Sequence, residues 1–548
     1  EILLPPGKQA FVMSEDDVCY YEYMKGYGFA ERTEVDENGR LRYPVQTENG
    51  TEYCPDGDLP GALEQFIAAH PDKILWCGEF GTIRHAKPEW RENWMRDVIS
   101  ILKENDIPWC VWNYLSTPND GNRFSLVDDD TRKILTPELG EFDVCLFDID
   151  PKRLDESYQI LNNINKTMNG RAHITQTLDR ETAFRGADFV VNAIQVGLYD
   201  PCTIIDFEVP KKYGLRQTIG DTLGIGGIMR ALRTIPVLKD FADDMEEVCP
   251  NALFLNYTNP MAMNAGFLQR YTGIRSVGLC HSVQVCSQRL LTRLGMEDRL
   301  EGRKELIAGI NHMAWLLKIE DKNGVDLYPE IRVRMEAQLA DPECKDKVRL
   351  DYIRNFGYYC TESSEHNAEY NMFYIKSRYP ELIDRYNIPL DEYPRRCVKL
   401  IEGWKREYAE LMENGLKPRE RSREYASHII ESITTDTPYQ IGGNVLNAGN
   451  LISNLPAEAC VEVPCLVNGA GIHPCRVGSL PVQCAAMNMT NINVQLLTIE
   501  AARTLKKDHI YQAAMLDPHT GSELDIDTIK KMVDELIDAH GSYLPEYH

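Results

Sequence analysis

The chain has 548 residues, and its 59 Lys and Arg against 84 Asp and Glu give a net charge of −25. So acidic a surface, with no Lys/Arg run to offset it, excludes nucleic acid and anionic membranes as expected partners. The length favours two or more domains. The 16 cysteines are scattered singly with no CxxC pair, which predicts reduced, mostly buried thiols and a cytoplasmic protein.

The first 133 residues differ in pattern from the rest of the chain. Residues 33–60 are polar and rich in turn residues, which predicts a long surface loop. Residues 73–114 then read as a strand, an amphipathic helix and a second strand. That order is one βα unit of a parallel sheet followed by its next strand.

From residue 134 the chain follows a longer α/β pattern. Strands are predicted over 142–150, 187–193, 252–256 and 276–280, with a helix starting at Pro151. Each strand ends in a polar segment, as in a doubly wound Rossmann-like sheet, whose ligands collect outside the carboxyl ends of the strands. We therefore predict an α/β fold with a Rossmann-like domain over 134–330 and a helix-rich α+β domain over 331–548.

Three polar residues stand at predicted strand ends in this region. Asn259 precedes a proline, Cys280 follows the next strand, and His312 follows a short apolar run. A thiolate and an imidazole on separate loops could bind a divalent first-row metal, with sugar oxygens or water completing its shell. A buried thiol and a hydrogen-bonded core histidine would account for the same residues.

Long segments between residues 134 and 548 resemble the family-4 glycoside hydrolases, most closely their α-galactosidase branch. They include FDIDPKRLDES, ADFVVNAIQVG, LNYTNPMAMN, VGLCHSVQ, GINHMAW and FGYYCTESSEHNAEY. The resemblance implies a glycosidase that uses NAD and a divalent metal, usually Mn²⁺, instead of two carboxylates. It implies hydride removal from C3 of the sugar, proton removal from C2, loss of the glycosidic oxygen, water addition and hydride return, with the metal as a Lewis acid. A small α-galactoside substrate and a homo-oligomer are expected.

The resemblance also implies roles for individual residues. Cys280 and His312 match the metal ligands, and Asn259 matches an asparagine that contacts the sugar hydroxyls near the cofactor. His281 stands where related branches place the acid, and an imidazole can protonate a leaving oxygen. The base is expected within 362–366, with His366 favoured over Glu365, whose alternative is a solvated acid at a helix end.

The same resemblance assigns the cofactor end of the site. Asn192 and Gln195 match a loop near the nicotinamide and the substrate. Asp148, at the end of a strand, matches an acid that hydrogen-bonds the adenosine ribose. The family's opening strand and glycine-rich turn, which receive the pyrophosphate, have no counterpart in the sequence. We therefore expect a sheet that lacks its usual first strand, and NAD binding impaired by that loss.

Residues 17–130 resemble the C-terminal part of a family-5 glycoside hydrolase, a cellulase-type α/β barrel. Matching pieces are WCGEFG, WMRDVISIL, PWCVWNY and FSLVDDD. Glu79 matches the barrel's nucleophile, but the second carboxylate that this chemistry needs lies in a part of the barrel that is missing. We predict a partial barrel over 1–133 in which Glu79 is vestigial.

Three alternatives stay open at this point. The first is another α-glycosidase, acting on α-glucosides or α-glucuronides. The second is an inactive chimeric chain. The third is a family-5 endo-β-glucanase remnant, for which we expect no cleavage of carboxymethylcellulose.

Overall fold

The structure is a computed structural model that describes residues 142–167, 172–414 and 424–548, together with short pieces of the first 141 residues. It divides into two compact units. One comprises residues 1–144 and 161–175, and the other comprises 145–160 and 176–548. Among the helices that the structure describes, none is both long and apolar enough to cross a membrane.

The described part of the first 141 residues contains five strands: β1 (Ala10–Val12), β2 (Pro44–Thr47), β3 (Gly50–Tyr53), β4 (Ile74–Phe80) and β5 (Trp109–Val111). β1, β4 and β5 form a parallel sheet in that order. Helical residues at 96, 98–101 and 103–104 lie between β4 and β5 in the chain, which confirms the predicted strand, helix and strand. Glu79 belongs to β4.

The predicted surface loop over residues 33–60 is wrong over residues 44–53. β2 and β3 pair antiparallel there, with Thr47 opposite Gly50. The Asn49-Gly50 pair is a typical hairpin signal, because both residue types tolerate the backbone of hairpin turns.

The remaining strands are β6 (Phe142–Phe147), β7 (Ala172–Thr177), β8 (Phe189–Asn192), β9 (Leu253–Asn256), β10 (Arg275–Leu279), β11 (Lys304–Ile310), β12 (Met313–Glu320), β13 (Tyr359–Cys360), β14 (Tyr439–Leu446), β15 (Cys460–Asn468) and β16 (Gly471–Pro474). Nine of them form one mixed sheet in the order β13-β12-β11-β15-β14-β10-β9-β8, with β16 beside β15. β8, β9 and β10 are parallel, and the other pairs are antiparallel.

Sixteen α-helices have bounds in the described region: α1 (Pro151–Thr167), α2 (Arg180–Phe184), α3 (Ile204–Lys212), α4 (Gly224–Val248), α5 (Met261–Tyr271), α6 (His281–Arg293), α7 (Tyr328–Ala340), α8 (Lys347–Phe356), α9 (Ser364–Glu369), α10 (Glu381–Arg385), α11 (Glu392–Asn414), α12 (Tyr425–Thr435), α13 (Val482–Thr504), α14 (Lys507–Leu516), α15 (Pro518–Glu523) and α16 (Ile526–His540). A π-helix (Leu198–Thr203) precedes α3. Two 3₁₀ turns cover Glu297–Arg299 and Gly541–Tyr543.

The predicted α/β pattern is confirmed from residue 142 onward. β6, β8, β9 and β10 fall within the predicted strand segments or within one residue of them, and α1 starts at Pro151. Strands on both sides of residue 330 join the same nine-stranded sheet. The domain boundary at 330 stays a prediction.

β8 is the edge of the nine-stranded sheet among the described strands. Its one described partner is β9, while β6 and β7 form a separate two-stranded sheet. In the expected doubly wound order, the first strand would lie between β6 and β8. No strand that the structure describes occupies that position.

The helices α4, α5 and α13 pack against the nine-stranded sheet and bury its core. Every residue of β9 is buried, and so is most of α4, including Ile228, Met229 and Leu232. A continuous apolar strand is typical of a sheet covered on both faces. This rigid centre holds the loops that leave the carboxyl ends of β9 and β10.

Candidate functional site

The predicted metal residues lie at one edge of the sheet, where β10 and β11 end. Across neighbouring strands, Gly278 lies opposite Asn444, Asn444 opposite Glu462, and Glu462 opposite Gly309. Cys280 follows β10 two residues beyond Gly278. His312 lies in the two-residue turn between β11 and β12, three residues beyond Gly309. The strand register therefore brings together two residues that are far apart in sequence.

Gly278 is required at this edge because two side chains pass over it. A Cβ atom there would lie 2.4 Å from the Met261 sulfur and 2.8 Å from Cβ of Asn444. The space lets the Asn444 amide donate to the Gly278 carbonyl oxygen at 3.3 Å and to Glu462 Oε1 at 2.9 Å. Asn311, beside His312, also donates to Glu462 Oε1, at 3.4 Å. Glu462 thus links the strands that precede both predicted ligands.

Three side chains converge on one point at this edge: Cys280, His312 and Glu362. One ligand atom from each lies within 4.8 Å of the others. His312 Nε2 is 3.6 Å from a Glu362 oxygen, and Tyr370 Oη lies 3.1 Å from His312 Nδ1. Tyr370 therefore orients the ring so that Nε2 faces the cluster, as partners beyond the ligands do at metal sites.

The backbone at two of these residues adopts a conformation that is uncommon outside glycine. His312 has a φ of 63° and Glu362 a φ of 64°. Left-handed backbone at residues other than glycine is held by its surroundings and concentrates at functional sites. Asn367 fixes the Glu362 loop by donating to the carbonyl oxygens of Thr361 and Ser363, both at 3.0 Å.

His366 joins the cluster from the first turn of α9. Ser363 caps this helix, and its hydroxyl lies 2.9 Å from His366 Nδ1. The same nitrogen is 3.6 Å from Glu362, and Nε2 is 3.7 Å from Asp221. The rings of His366 and His312 lie 5.1 Å apart. His366 is thus a buried imidazole between two carboxylates.

The cluster strongly perturbs its own ionisation. Burial raises the pKa of the Cys280 thiol, and the charges of Glu462 and Glu362 raise it further. Burial opposes ionisation of Glu362, but its electrostatic interactions with the His366 and His312 side chains prevail and lower its pKa to about 2. Burial also lowers the pKa of His366, despite the nearby carboxylates. A thiol that resists ionisation becomes a thiolate when a divalent cation binds beside it.

Glu369, in α9, binds the loop in which Asp221 lies. Its buried carboxylate accepts backbone N–H bonds from Thr218 at 2.7 Å, Ile219 at 3.2 Å and Gly220 at 2.8 Å. Thr218 also donates to the Glu365 carbonyl oxygen at 2.7 Å. These bonds join the segment before α4 to the helix that carries His366.

Two of the predicted catalytic residues contact groups outside the cluster. The His281 imidazole is exposed and contacts Glu424. Glu365 faces Arg396, with 3.3 Å between Oε1 and the guanidinium. His281 remains beside Cys280 as the first residue of α6. Glu365 is thus a half-buried, ion-paired carboxylate in the first turn of α9, and its role as a base stays a prediction.

The predicted sugar and cofactor residues follow the parallel strands. Asn192 ends β8 and donates from Nδ2 to Asn256 Oδ1 at 2.8 Å. Asn259 follows β9, is half-buried, and makes no hydrogen bond to another residue of the described region. Gln195 donates to Thr203 at 3.3 Å. Of these three, Asn259 is the one whose amide has no partner within the described region.

Asp148, the residue predicted to bind the ribose, lies just beyond the end of β6. Burial opposes its ionisation, but hydrogen bonds from Arg153 and a backbone amide prevail and lower its pKa. Arg153 donates to both carboxylate oxygens, at 2.7 and 3.2 Å. A ribose would therefore have to share or displace this ion pair.

Sequence reasoning missed three acidic residues of the site. Glu362 opens the segment in which the base was sought, four residues before His366. Asp221 lies in a Thr-Ile-Gly-Asp-Thr loop just before a glycine-rich helix start, which is a signal that could have been read. Glu462 lies within an apolar strand, and its role depends on a register that one sequence does not reveal.

Comparisons with known proteins identify the family of the chain. The model described as "Family 4 glycosyl hydrolase" matches residues 131–296, and that of the "Family 4 glycosyl hydrolase C-terminal domain" matches residues 307–520. An α-galactosidase of Bacillus subtilis is 56% identical over 414 residues, which cover 76% of this chain and 95% of that protein.

The chain belongs to family 4 of the glycosyl hydrolases. Another family member, an α-galactosidase of Rhizobium meliloti, is 34% identical over 435 residues, covering 76% of this chain and 87% of that protein. A crystal structure of a 6-phospho-α-glucosidase from gut microorganisms, in complex with NAD and Mn²⁺, shares the fold. Its TM-score is 0.61 at 20% identity, covering 74% of this chain and 93% of that one.

The family matches begin at residue 131. They confirm the family-4 resemblance of the larger part of the chain. The family-5 resemblance of residues 17–130 and the vestigial role of Glu79 stay predictions.

Proposed function

We propose that this family-4 glycosyl hydrolase cleaves α-galactosides and requires a divalent metal and NAD. The observation that carries the proposal is the convergence of Cys280 and His312 at one edge of the sheet, in a chain that is 56% identical to an α-galactosidase over 414 residues. The alternatives of an α-glucosidase, an α-glucuronidase and an inactive chain have no comparable support.

The donor set fits a divalent first-row metal. A thiolate, an imidazole and a neighbouring carboxylate offer the mixed soft and hard ligands that such ions accept. Cys280 and His312 would hold the ion, and coordination positions would stay open for sugar hydroxyls. When bound, the metal supplies Lewis-acid polarisation of the sugar oxygens.

The described residues fit NAD only in part. Asn192 and Gln195 lie at the carboxyl end of β8, where the nicotinamide is expected, and Asp148 lies beyond β6. The strand and turn that would receive the pyrophosphate have no counterpart among the described residues. When bound, NAD supplies a hydride acceptor and donor at C3 of the sugar.

The protein's own side chains position the substrate and move its protons. The free amide of Asn259 can hydrogen-bond a sugar hydroxyl, since it makes no bond to another described residue. His366 is the proposed base for the C2 proton, because burial lowers the pKa of its imidazole and so favours the neutral form that can accept a proton. His281 is the proposed acid for the leaving oxygen, with Glu424 holding its imidazole.

A panel of p-nitrophenyl glycosides tests the specificity. The purified full chain, supplied with Mn²⁺, NAD and a thiol reductant, should hydrolyse the α-galactoside at least tenfold faster than the α-glucoside or α-glucuronide. The matched control is the same panel with EDTA in place of Mn²⁺, which should show no release of nitrophenol. Faster cleavage of either competing glycoside would contradict the proposal.

A further inference from the structure

We propose that Glu362 is a third protein ligand of the metal, beside Cys280 and His312. This inference rests on the proposed function, because it deepens the account of the same site. It assigns the ion a thiolate, an imidazole and a carboxylate from three separate elements: the start of α6, the turn between β11 and β12, and the loop after β13.

The distance between Glu362 and His312 suits two ligands of one ion. His312 Nε2 and Glu362 Oε2 lie 3.6 Å apart, which is too long for a hydrogen bond. Two atoms bound to one ion at about 2.1–2.2 Å, with an angle near 110°, lie about 3.5 Å from each other. The thiol completes a triangle whose sides are all within 4.8 Å.

The Glu362 carboxylate is built into this position. Glu362 follows the two-residue strand β13. The pairing of Cys360 with Trp315 of β12 fixes the position of this strand in the sheet, and with it the start of the Glu362 loop. The next residue, Thr361, donates its N–H to the Ala314 carbonyl oxygen at 2.7 Å. The backbone then turns through the left-handed conformation at Glu362, at a cost of about 1–3 kcal/mol. A solvated carboxylate would not need so constrained a loop.

A second interpretation makes Glu362 only a counter-ion of His366. Its other oxygen, Oε1, lies 3.6 Å from His366 Nδ1, so the carboxylate faces both histidines. Asp221, 3.7 Å from His366 Nε2, offers that imidazole another counter-ion. The two interpretations differ in what they require of the metal. Loss of a ligand should weaken Mn²⁺ binding about as much as loss of Cys280 does, whereas loss of a counter-ion of His366, which is not itself a ligand, should have a much smaller effect and leave the ion's ligand field unchanged.

Measuring how tightly Mn²⁺ binds, in the absence of sugar and NAD, distinguishes the two interpretations of Glu362. The electron paramagnetic resonance signal of free Mn²⁺ is followed as the purified full chain is titrated, without sugar or NAD. Glu362→Gln should weaken Mn²⁺ binding at least tenfold, since even partners behind the ligands are worth about 10- to 100-fold in affinity. The fall in Mn²⁺ affinity in Cys280→Ser shows how much affinity is lost when one ligand is removed. Glu365→Gln is the matched control, because it removes the same charge three residues away and should change the affinity less than threefold.

Two further measurements keep the test decisive if one variant folds poorly. Glu362→Asp keeps the carboxylate on a shorter stem and should lose less affinity than Glu362→Gln. With Co²⁺ as the probe, Glu362→Gln should alter the visible d–d bands and retain the thiolate charge-transfer band from Cys280.

The inference is overturned if Glu362→Gln binds Mn²⁺ within twofold of the wild type, or if the wild type binds none. It is equally overturned if the Co²⁺ d–d bands are unchanged. These readouts use no substrate. A chain that binds Mn²⁺ through Glu362 but cleaves no α-galactoside would therefore refute the proposed function and leave this inference standing.

Discussion

Cys280 is the residue whose chemistry depends most on the metal. Its buried thiol has a raised pKa, so it is protonated at neutral pH without an ion, and binding of a metal must release its proton. We therefore predict that Mn²⁺ affinity rises about tenfold for each pH unit between pH 6 and 8. In Cys280→Ser the affinity should be low, and this slope should flatten. Calorimetric titrations at several pH values measure both, and an unchanged slope in the serine variant would refute thiolate ligation.

The second prediction for a single residue concerns how Glu462 affects the pH dependence of stability. Burial raises its pKa to about 7, and its Oε2 has no hydrogen-bond partner among the residues that the structure describes. The folded state thus binds a proton more tightly than the unfolded state, whose glutamate pKa is about 4.3. The stability gained from that proton is present at pH 4 and is lost as the pH rises through 7, by up to about 4 kcal/mol.

Glu462→Gln removes this titration. Urea unfolding in EDTA, at pH 5 and pH 8, should show the wild type losing more stability than the variant between the two values. Glu431→Gln, on α12, is a matched control and should follow the wild type. Parallel pH profiles for the wild type and Glu462→Gln would show that the carboxyl is ionised in both states.

The residues of the site were only partly predictable from the sequence. Cys280 and His312 follow recognisable strand ends, and the structure brings them together. Glu362 was missed because a carboxylate three residues from another, Glu365, looks the same in sequence. Only the left-handed turn at Glu362 and the cap at Ser363 determine which of the two faces the cluster.

Among the elements, α9 connects the histidine cluster to the loop before α4. Glu369, at the end of α9, accepts three backbone N–H bonds from that loop. Glu369→Ala would leave these buried donors without partners, and we predict a loss of about 2–4 kcal/mol in the free energy of unfolding. Urea denaturation measures it. Glu381→Ala, an exposed acid on α10, should change stability by less than about 0.5 kcal/mol. Equal effects of the two variants would contradict the role given to Glu369.

The elements themselves were predicted better than their contacts. Short apolar runs before polar loops predicted β9 and β10, and a proline predicted the start of α1, because these signals are local. The hairpin of β2 and β3 was missed, since a polar sequence rich in turn residues resembles a loop when its strands are short. The pairing of β10 with β14 joins residues 166 apart at its Asn444–Gly278 hydrogen bond, and no local pattern encodes it.

At the scale of the whole molecule, all the strands that carry the metal residues are described, whereas β8 has only one neighbouring strand, β9, among the described strands. The metal residues belong to strands that are all present, while the described region has no strand in the position expected to cradle the pyrophosphate. We predict that the chain binds Mn²⁺ about as tightly as the 6-phospho-α-glucosidase that was crystallised with NAD and Mn²⁺, but binds NAD at least tenfold more weakly.

Side-by-side calorimetry of the two proteins checks this prediction. Mn²⁺ titrations serve as the internal control for correctly folded protein. Equal NAD affinities would mean that the missing strand and turn are supplied from residues outside the described region. Weaker NAD binding with normal Mn²⁺ binding would locate the defect in the cofactor cradle.

The central claim is that this molecule cleaves α-galactosides by removing the C2 proton beside the metal held by Cys280 and His312. Hydrolysis of p-nitrophenyl α-galactoside in D₂O, with saturating NAD and Mn²⁺, tests it most directly. Nuclear magnetic resonance of the released galactose should show deuterium at C2, because the abstracted proton exchanges before water adds. Galactose with protium at C2, or no galactose at all, would contradict the account.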